Sequence, residues 1–199
     1  MSNSSENLAV SDADLIDRWK TGDVTAFDLL VEKHAGKAYQ IAYGVLGNQE
    51  DAEEVAQDVF VRIHRALSRF RGDAEFSTWL YRIALNLARN KYRWNKVRGL
   101  REMVSLDAPQ EGEDGDSRGP LAVPAPKPSP DQEAVFRELE QNIASELEKL
   151  PPAFREALAL RNMDDLDYHQ IASLLGCKLG TVKSRIARAR EELRRRLKL

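Results

Sequence analysis

The stretch SLDAPQEGEDGDSRGPLAVPAPKPSPD, Ser105 to Asp131, holds six prolines and three glycines and almost no apolar periodicity. Proline removes a backbone donor and glycine weakens any helix interior, so regular structure is expected to stop here. The chain of 199 residues then divides into a short tail (1–11), a first domain (12–101), a linker (102–130) and a second domain (131–199). Prolines recurring from Pro120 to Pro130 favour extended, polyproline-like backbone, which predicts a partly stiff linker able to hold the domains well apart. With 42% hydrophobic and 31% charged residues, each flank has the makings of a folded core.

Both flanks read as helical and neither reads as strand, because apolar residues recur at three and four and no stretch alternates. The expected fold is all-α, two small helical domains joined by a flexible acidic linker. Phe27, Leu30, His34, Ala38, Ile41 and Val45 share one face of a helix over Ala26 to Leu46, and Val55, Val59, Ile63 and Leu67 one face of a helix over Asp51 to Leu67. A third helix, begun by Ser77 as cap, is expected to bury Leu80, Ile83, Ala84 and Leu87. In the second domain Val135, Leu139, Ile143 and Leu147 should face inward from one helix, and Pro151 and Pro152 should open the next, running to about Asn162.

The end of the chain carries the clearest local punctuation. Asp167 with Gln170 three residues on forms a capping box ahead of YHQIASLL, Gly176 closes that helix, CKLG turns the chain, and Thr181 is placed to cap the last helix. This is the layout of a helix-turn-helix. Val182, Ile186, Ala189 and Leu193 form the inward stripe of the last helix. Lys183, Ser184, Ala187 and Arg188 point outward near its start, where base edges are met, and Arg190, Arg194 and Arg195 lie further along, suited to phosphates. A basic amphipathic helix packed on its own domain is the plainer alternative.

A net charge of −2 hides strong segregation. Asn48 to Asp58 has five acids and no base, and Arg82 to Arg101 seven bases and no acid. Eight acids stand against Arg118 and Lys127 from Glu102 to Glu133, and eight bases against Glu191 and Glu192 from Thr181 to Leu199. Within the first acidic block Glu54, Gln57 and Asp58 share one polar face, which an ordinary solvated helix surface also explains. Phe70 to Trp94 mixes six aromatics with five Arg or Lys in 25 positions, a mixture that fits a flat anionic partner such as single-stranded nucleic acid. Arg82, Asn86, Arg89 and Arg93 recur along one face as a cationic track with an amide in its middle.

EEVAQDVFVRIHRAL, FRGDAEFSTWLYRIALNLARN and IASLLGCKLGTVKSRIARAREEL, in that order, resemble the extracytoplasmic-function sigma factors of bacterial RNA polymerase, of the envelope-stress type. The resemblance covers roughly Asp12 to Arg98 and Asp131 to Arg196. It implies a promoter-recognition subunit that is not an enzyme and needs no cofactor. Its partners would be core polymerase, through the β′ coiled coil and the β subunit, promoter DNA and an anti-sigma factor. The resemblance maps core docking to Glu54, Gln57 and Asp58, and places capture of a minus-ten base at the FRGD loop, with Phe70 and Asn86 as the expected pocket and Arg82, Arg89 and Lys91 holding the strand. The candidate minus-thirty-five set is Thr181, Lys183, Ser184, Arg185, Arg188 and Arg190. Lys183 and Ala187 stand where many relatives carry Arg and an aromatic, so the preferred promoter sequence does not transfer.

Other classes fit less well. A one-component helix-turn-helix repressor would need a ligand or dimer module in place of the basic aromatic helix. An enzyme would need clustered carboxylates or a nucleophile with a base, and His34, His64 and His169 have no such companions by spacing. One cysteine, Cys177, excludes an internal disulfide, and the scattered histidines give no metal-ligand spacing. No apolar run approaches the roughly 20 residues of a membrane span. MSNSSENLAV lacks the form of a signal peptide, so a cytoplasmic location without membrane insertion is expected.

Overall fold

The computed structural model describes residues 10–104, 142–143, 145–147, 149–163 and 165–197, and every regular element among them is helical. The linker and the candidate inward residues Val135 and Leu139 lie outside the described residues.

Four helices build the first domain: α1 (Asp12–Lys20), α2 (Thr25–Leu46), α3 (Gln49–Ala66) and α4 (Phe76–Val104). Ser11 caps α1 by accepting from the Asp14 N–H at 3.1 Å, and Asn48 caps α3 by accepting from the Asp51 N–H at 2.8 Å. Each satisfies one of the donors a helix start leaves open. Gly47, at φ 80°, ends α2 in the left-handed conformation that costs a glycine least. A 3-10 turn, Leu67–Arg69, and the loop 70–75 carry the chain from α3 into α4. Helix α2 is the central element, touching α1, α3 and α4. Val55, Val59, Ile63 and Leu67 are all buried, as the periodicity predicts.

Helix α4 departs from expectation in two ways. It begins at Phe76, so Ser77 sits inside the first turn and is not the cap. Its most buried face is Leu80, Tyr81, Ala84, Leu85 and Ala88, while Ile83 and Leu87 are half-buried. The physical reason is that α4 is covered by α2 and α3 and is also approached by the second domain.

The second domain contributes α5 (Pro152–Arg161), α6 (Tyr168–Leu175) and α7 (Leu179–Leu197). The capping box is present: the Asp167 carboxylate accepts from the Gln170 N–H at 2.8 Å and the Gln170 side-chain Oε1 accepts from the Asp167 N–H at 2.8 Å. Gly176 ends α6 at φ 63°. Helix α7 starts two residues before the expected cap, with the Lys178 carbonyl accepting from the Thr181 and Val182 N–H groups, so Thr181 lies within it. Ile143 is exposed, contrary to the inward face predicted for it, and Leu147 is half-buried.

The two domains are not held apart. Helix α5 packs on α2, and the approach is so close that a Cβ built on Gly44 would lie 2.6 Å from the Ala159 Cβ. Buried residues of both domains merge into one cluster. Polar ties complete the contact: Asp165 accepts from the Tyr81 hydroxyl at 2.7 Å and from Lys37 at 2.8 Å, and Glu156 is gripped by Arg89. The expected separation does not hold, because α5 and α6 offer α2 and α4 apolar and ionic partners directly.

Candidate functional site

The loop 70–75 and the start of α4 are positioned from several sides. Gly72, at φ 76°, allows the sharp turn. Lys20 donates to the Phe70 carbonyl at 3.1 Å, tying the loop to α1. The Phe70 ring lies against Trp79 at 4.9 Å between centroids and meets Phe76 edge-on at 6.1 Å. Phe76 in turn takes the buried His34 ring at 5.2 Å. Thus Phe76 and Tyr81 are core, whereas Phe70 and Trp79 form a half-buried aromatic ledge.

That ledge borders an open hollow of about 490 Å³, lined by Phe70, Arg71, Asp73, Thr78, Trp79 and Arg82 among others. A neighbouring cleft of about 300 Å³ is lined by Arg62, Ile83, Asn86, Leu87, Asn90 and Arg93, with Arg89 at its edge. Phe70 and Asn86 therefore line adjacent hollows and do not close one pocket together. Arg62, from α3, and Asn90 were not singled out in the sequence, because only the packing of α3 on α4 brings Arg62 beside Asn86.

Of the cationic track, Arg82, Asn86 and Arg93 are exposed, and Arg93 donates to the Asn90 side chain and the Arg89 carbonyl. Arg89 is already engaged, its Nε and Nη2 donating to the two Glu156 oxygens at 2.9 and 2.7 Å. Lys91 is not on the track at all. Nine residues from Arg82 it falls half a turn round α4, and it ion-pairs with Asp51 at 3.1 Å and Glu54 at 2.5 Å. Burial pushes the Asp51 carboxyl up, but hydrogen bonds from Asn48, Lys91 and Asn95 outweigh that and hold it below the usual range.

Glu54, Gln57 and Asp58 are exposed on one face of α3. Beside Gln57 runs an open apolar groove of about 500 Å³ between α2 and α3, lined by Phe27, Val31, Ala35, Phe60, Val61 and His64 among others. Val61 is 48% exposed. An apolar groove rimmed by polar groups is the usual anatomy of a protein-binding surface. The polar face is legible from spacing, but the groove is not, because one wall of it, Phe27, Val31 and Ala35, comes from α2.

On α7, Lys183, Ser184, Ala187 and Arg188 are all exposed, over a buried Val182, Ile186 and Ala189. Lys183, Ala187, Arg190 and Arg194 share one face, with Ser184 and Arg188 flanking it. The Ser184 hydroxyl donates to the Thr181 carbonyl at 3.0 Å. Arg185 is half-buried against Cys177 and Thr181 is also half-buried, so both are less available than their neighbours. Arg195 is paired with Glu192 at 2.7 Å, while Arg188, Arg190 and Arg194 have no ion pair among the described residues. A rigid helix so furnished can enter a major groove and meet phosphates along its length.

Comparison with known proteins bears on both halves. The family model for Sigma-70 region 2 matches residues 30–97, and that for Sigma-70 region 4 matches residues 140–193. The RNA polymerase sigma-H factor of Pseudomonas aeruginosa is 38% identical over 183 residues, covering 92% of this chain and 91% of its own. The ECF RNA polymerase sigma-E factor of Escherichia coli is 37% identical over 184 residues, covering 92% and 93%. Among solved structures, CnrH in complex with the cytosolic domain of CnrY is 27% identical with a TM-score of 0.65, covering 94% of this chain and 97% of that one. The sigma factor RpoE of Bartonella quintana, solved with the anti-sigma factor NepR, shares the fold at 22% identity and a TM-score of 0.62, covering 88% and 99%.

Proposed function

The chain belongs to the extracytoplasmic-function sigma factors, which bind core RNA polymerase and direct it to promoters without being enzymes, and on that premise we propose how its residues divide the work. The first domain, 12–101, docks on core polymerase and opens the minus-ten element, and the second, 131–199, reads the minus-thirty-five element. The repressor alternative is not favoured for a chain matched to sigma regions in both halves.

Core docking uses Glu54, Gln57 and Asp58 with the adjacent groove of Phe27, Val31, Phe60 and Val61. A coiled coil fits such a surface by laying apolar knobs in the groove and charges along the rim. Lys91, paired with Glu54, belongs to this side of the domain.

The observation that carries the reading is the succession of two hollows along one exposed, basic side of α4. A base swung from the duplex is received on the Phe70 and Trp79 ledge under Arg71 and Arg82. The following nucleotide meets Asn86, Asn90 and Arg62, and Arg89 and Arg93 take the strand's phosphates. Unstacking a base costs a few kcal/mol and stacking on an aromatic returns about 1–3 kcal/mol, so capture offsets melting without a fuel molecule. On α7, Lys183 and Arg188 read base edges, Ser184 adds a hydroxyl, and Arg190 and Arg194 hold phosphates. Thr181 and Arg185 support this surface from beneath.

The acidic segment 102–130 suits passage through a polymerase cleft built for nucleic acid. A partner that holds the chain inactive, as an anti-sigma factor does, is proposed from its likeness to CnrH, which was solved with the cytosolic domain of CnrY. A cytoplasmic location follows from the work itself, since promoters and polymerase are there. Holoenzyme carrying Asn86→Ala tests the assignment. It should form closed complexes on duplex promoters yet open them slowly and lose preference at one minus-ten position, and a pre-melted template abasic there should restore equality. Opening at the wild-type rate with wild-type base preference would refute it.

A further inference from the structure

Trp94 is the largest apolar side chain left in water among the described residues, 54% exposed, and Val97 beside it is 51% exposed. Neither adds much to the core from there, and their place on α4 shows what they border. Arg82, Asn86, Asn90, Trp94 and Arg98 follow one another every four residues and all are exposed, so they form one row winding slowly along the helix, with about 6 Å of rise between successive members. The first three line the two hollows described above. Trp94 is the next station in the row, with Arg93 and Val97 alongside it.

The ring is held in place without being covered. The Lys91 ammonium lies 5.5 Å from its centroid and the Arg98 guanidinium 5.3 Å. Lys91 is itself fixed by its ion pairs with Asp51 and Glu54. Such cation contacts orient an indole and set positive charge beside it. We infer that Trp94 is a stacking platform for a further unpaired base of the minus-ten strand, beyond the one met by Asn86 and Asn90, with Arg93 and Arg98 taking the phosphates on either side. The inference rests on the reading of α4 given above.

Charge and continuity select this occupant. From Arg82 to Arg101 the chain has seven bases and no acid, so the ring stands in a positive field. A protein surface would need acids of its own to match that field, whereas a strand brings a phosphate with every nucleotide. The row is also continuous with the side of α4 that lines the hollows, and a strand laid along them reaches Trp94 without a change of direction. Stacking accepts any base, because every base has a π-face. Trp94 therefore adds grip without base preference, whereas the Asn86 amide can read a base edge. That difference makes the two contributions separable.

Holoenzymes carrying Trp94→Ala, Trp94→Leu, Trp94→Tyr or Asn86→Ala test it. Each is titrated onto fluorescent pre-melted templates of a promoter the holoenzyme uses, intact or with a single abasic site stepped along each minus-ten strand. Circular dichroism verifies helix content, and titration with core polymerase verifies that the holoenzymes form alike. Trp94→Ala and Trp94→Leu should bind the intact template about tenfold more weakly, the scale of one lost base stack, with base preference unchanged at every position. Trp94→Tyr should keep most of the affinity, since it keeps a flat ring. One abasic position, distinct from the one at which Asn86→Ala equals the wild type, should cost the wild type the same factor and cost Trp94→Ala and Trp94→Leu nothing. If Asn86→Ala shows its own position while Trp94→Ala follows the wild type at every abasic site, the platform falls and the strand reading stands. If Asn86→Ala also follows the wild type throughout, the strand reading falls and the platform with it. Wild-type affinity in Trp94→Leu would overturn stacking, and weaker binding of Trp94→Ala to core polymerase would assign the ring to a protein contact instead.

Discussion

Asp12 anchors α1 to α2 through Lys33 and His34, and replacing it by Asn tests that anchor quantitatively. Its carboxylate sits 2.8 Å from Lys33 Nζ and 3.0 Å from the buried His34 Nε2. The His34 ring leans on Phe76, the first residue of α4. Burial pushes the Asp12 carboxyl up, but the hydrogen bonds from His34 and Lys33 together outweigh it and lower the pKa from 3.8 to about 2. At about 1.36 kcal/mol per unit the shift corresponds to roughly 2.4 kcal/mol. The side chain is 20% exposed, so with solvent screening about 1–2 kcal/mol is expected. The folded-state pKa is the lower one. This stability is therefore fully present above the ordinary pKa of 3.8 and is lost as pH falls through about 2. Urea unfolding of wild type and Asp12→Asn should give the same difference at pH 7 and pH 5 and about half of it at pH 3. A difference near zero at pH 7, or one as large at pH 3 as at pH 7, would refute the ion-pair argument.

Other consequences are as specific. Gln57→Ala with Asp58→Ala, or Val61→Lys in the groove, should weaken binding to core polymerase while changing stability by less than about 0.5 kcal/mol, since all three side chains are exposed. Unchanged core affinity in polymerase titrations would move the docking face elsewhere. Arg188→Ala should relax preference at one minus-thirty-five position by about 1–3 kcal/mol, whereas Arg194→Ala should weaken all promoters alike and flatten the salt dependence. A promoter-variant binding series reads both, and the reverse pattern would exchange their roles. Asp167→Ala removes the cap of α6 and should cost about 0.5–2 kcal/mol of stability in thermal melts.

What the sequence made legible was local. The Asp167 and Gln170 box and the closing Gly176 need only a few consecutive residues, and the α3 stripe Val55, Val59, Ile63 and Leu67 needs only periodicity. The helix starts at Ser77 and Thr181 were misplaced because either side of a cap offers a plausible first turn and the loop backbone decides between them. Ile83 and Leu87 read as core, but they are half-buried, whereas Tyr81, which meets Asp165 of the second domain, and Leu85 are buried. The contacts that close the two domains were not legible. Tyr81 meets Asp165 across 84 residues and Arg89 meets Glu156 across 67, and a sequence gives no register between two helices joined through a linker. Lys91 is expected in the strand set, but nine residues from Arg82 it faces the acids of α3.

The most direct measurement is transcription from fragmented genomic DNA by core polymerase reconstituted with the purified chain, with every transcript start mapped. The account predicts starts confined to sites preceded by one minus-ten and one minus-thirty-five sequence at fixed spacing, with Asn86→Ala reducing output from duplex but not from pre-melted templates. Starts as scattered as those of core polymerase alone would contradict it.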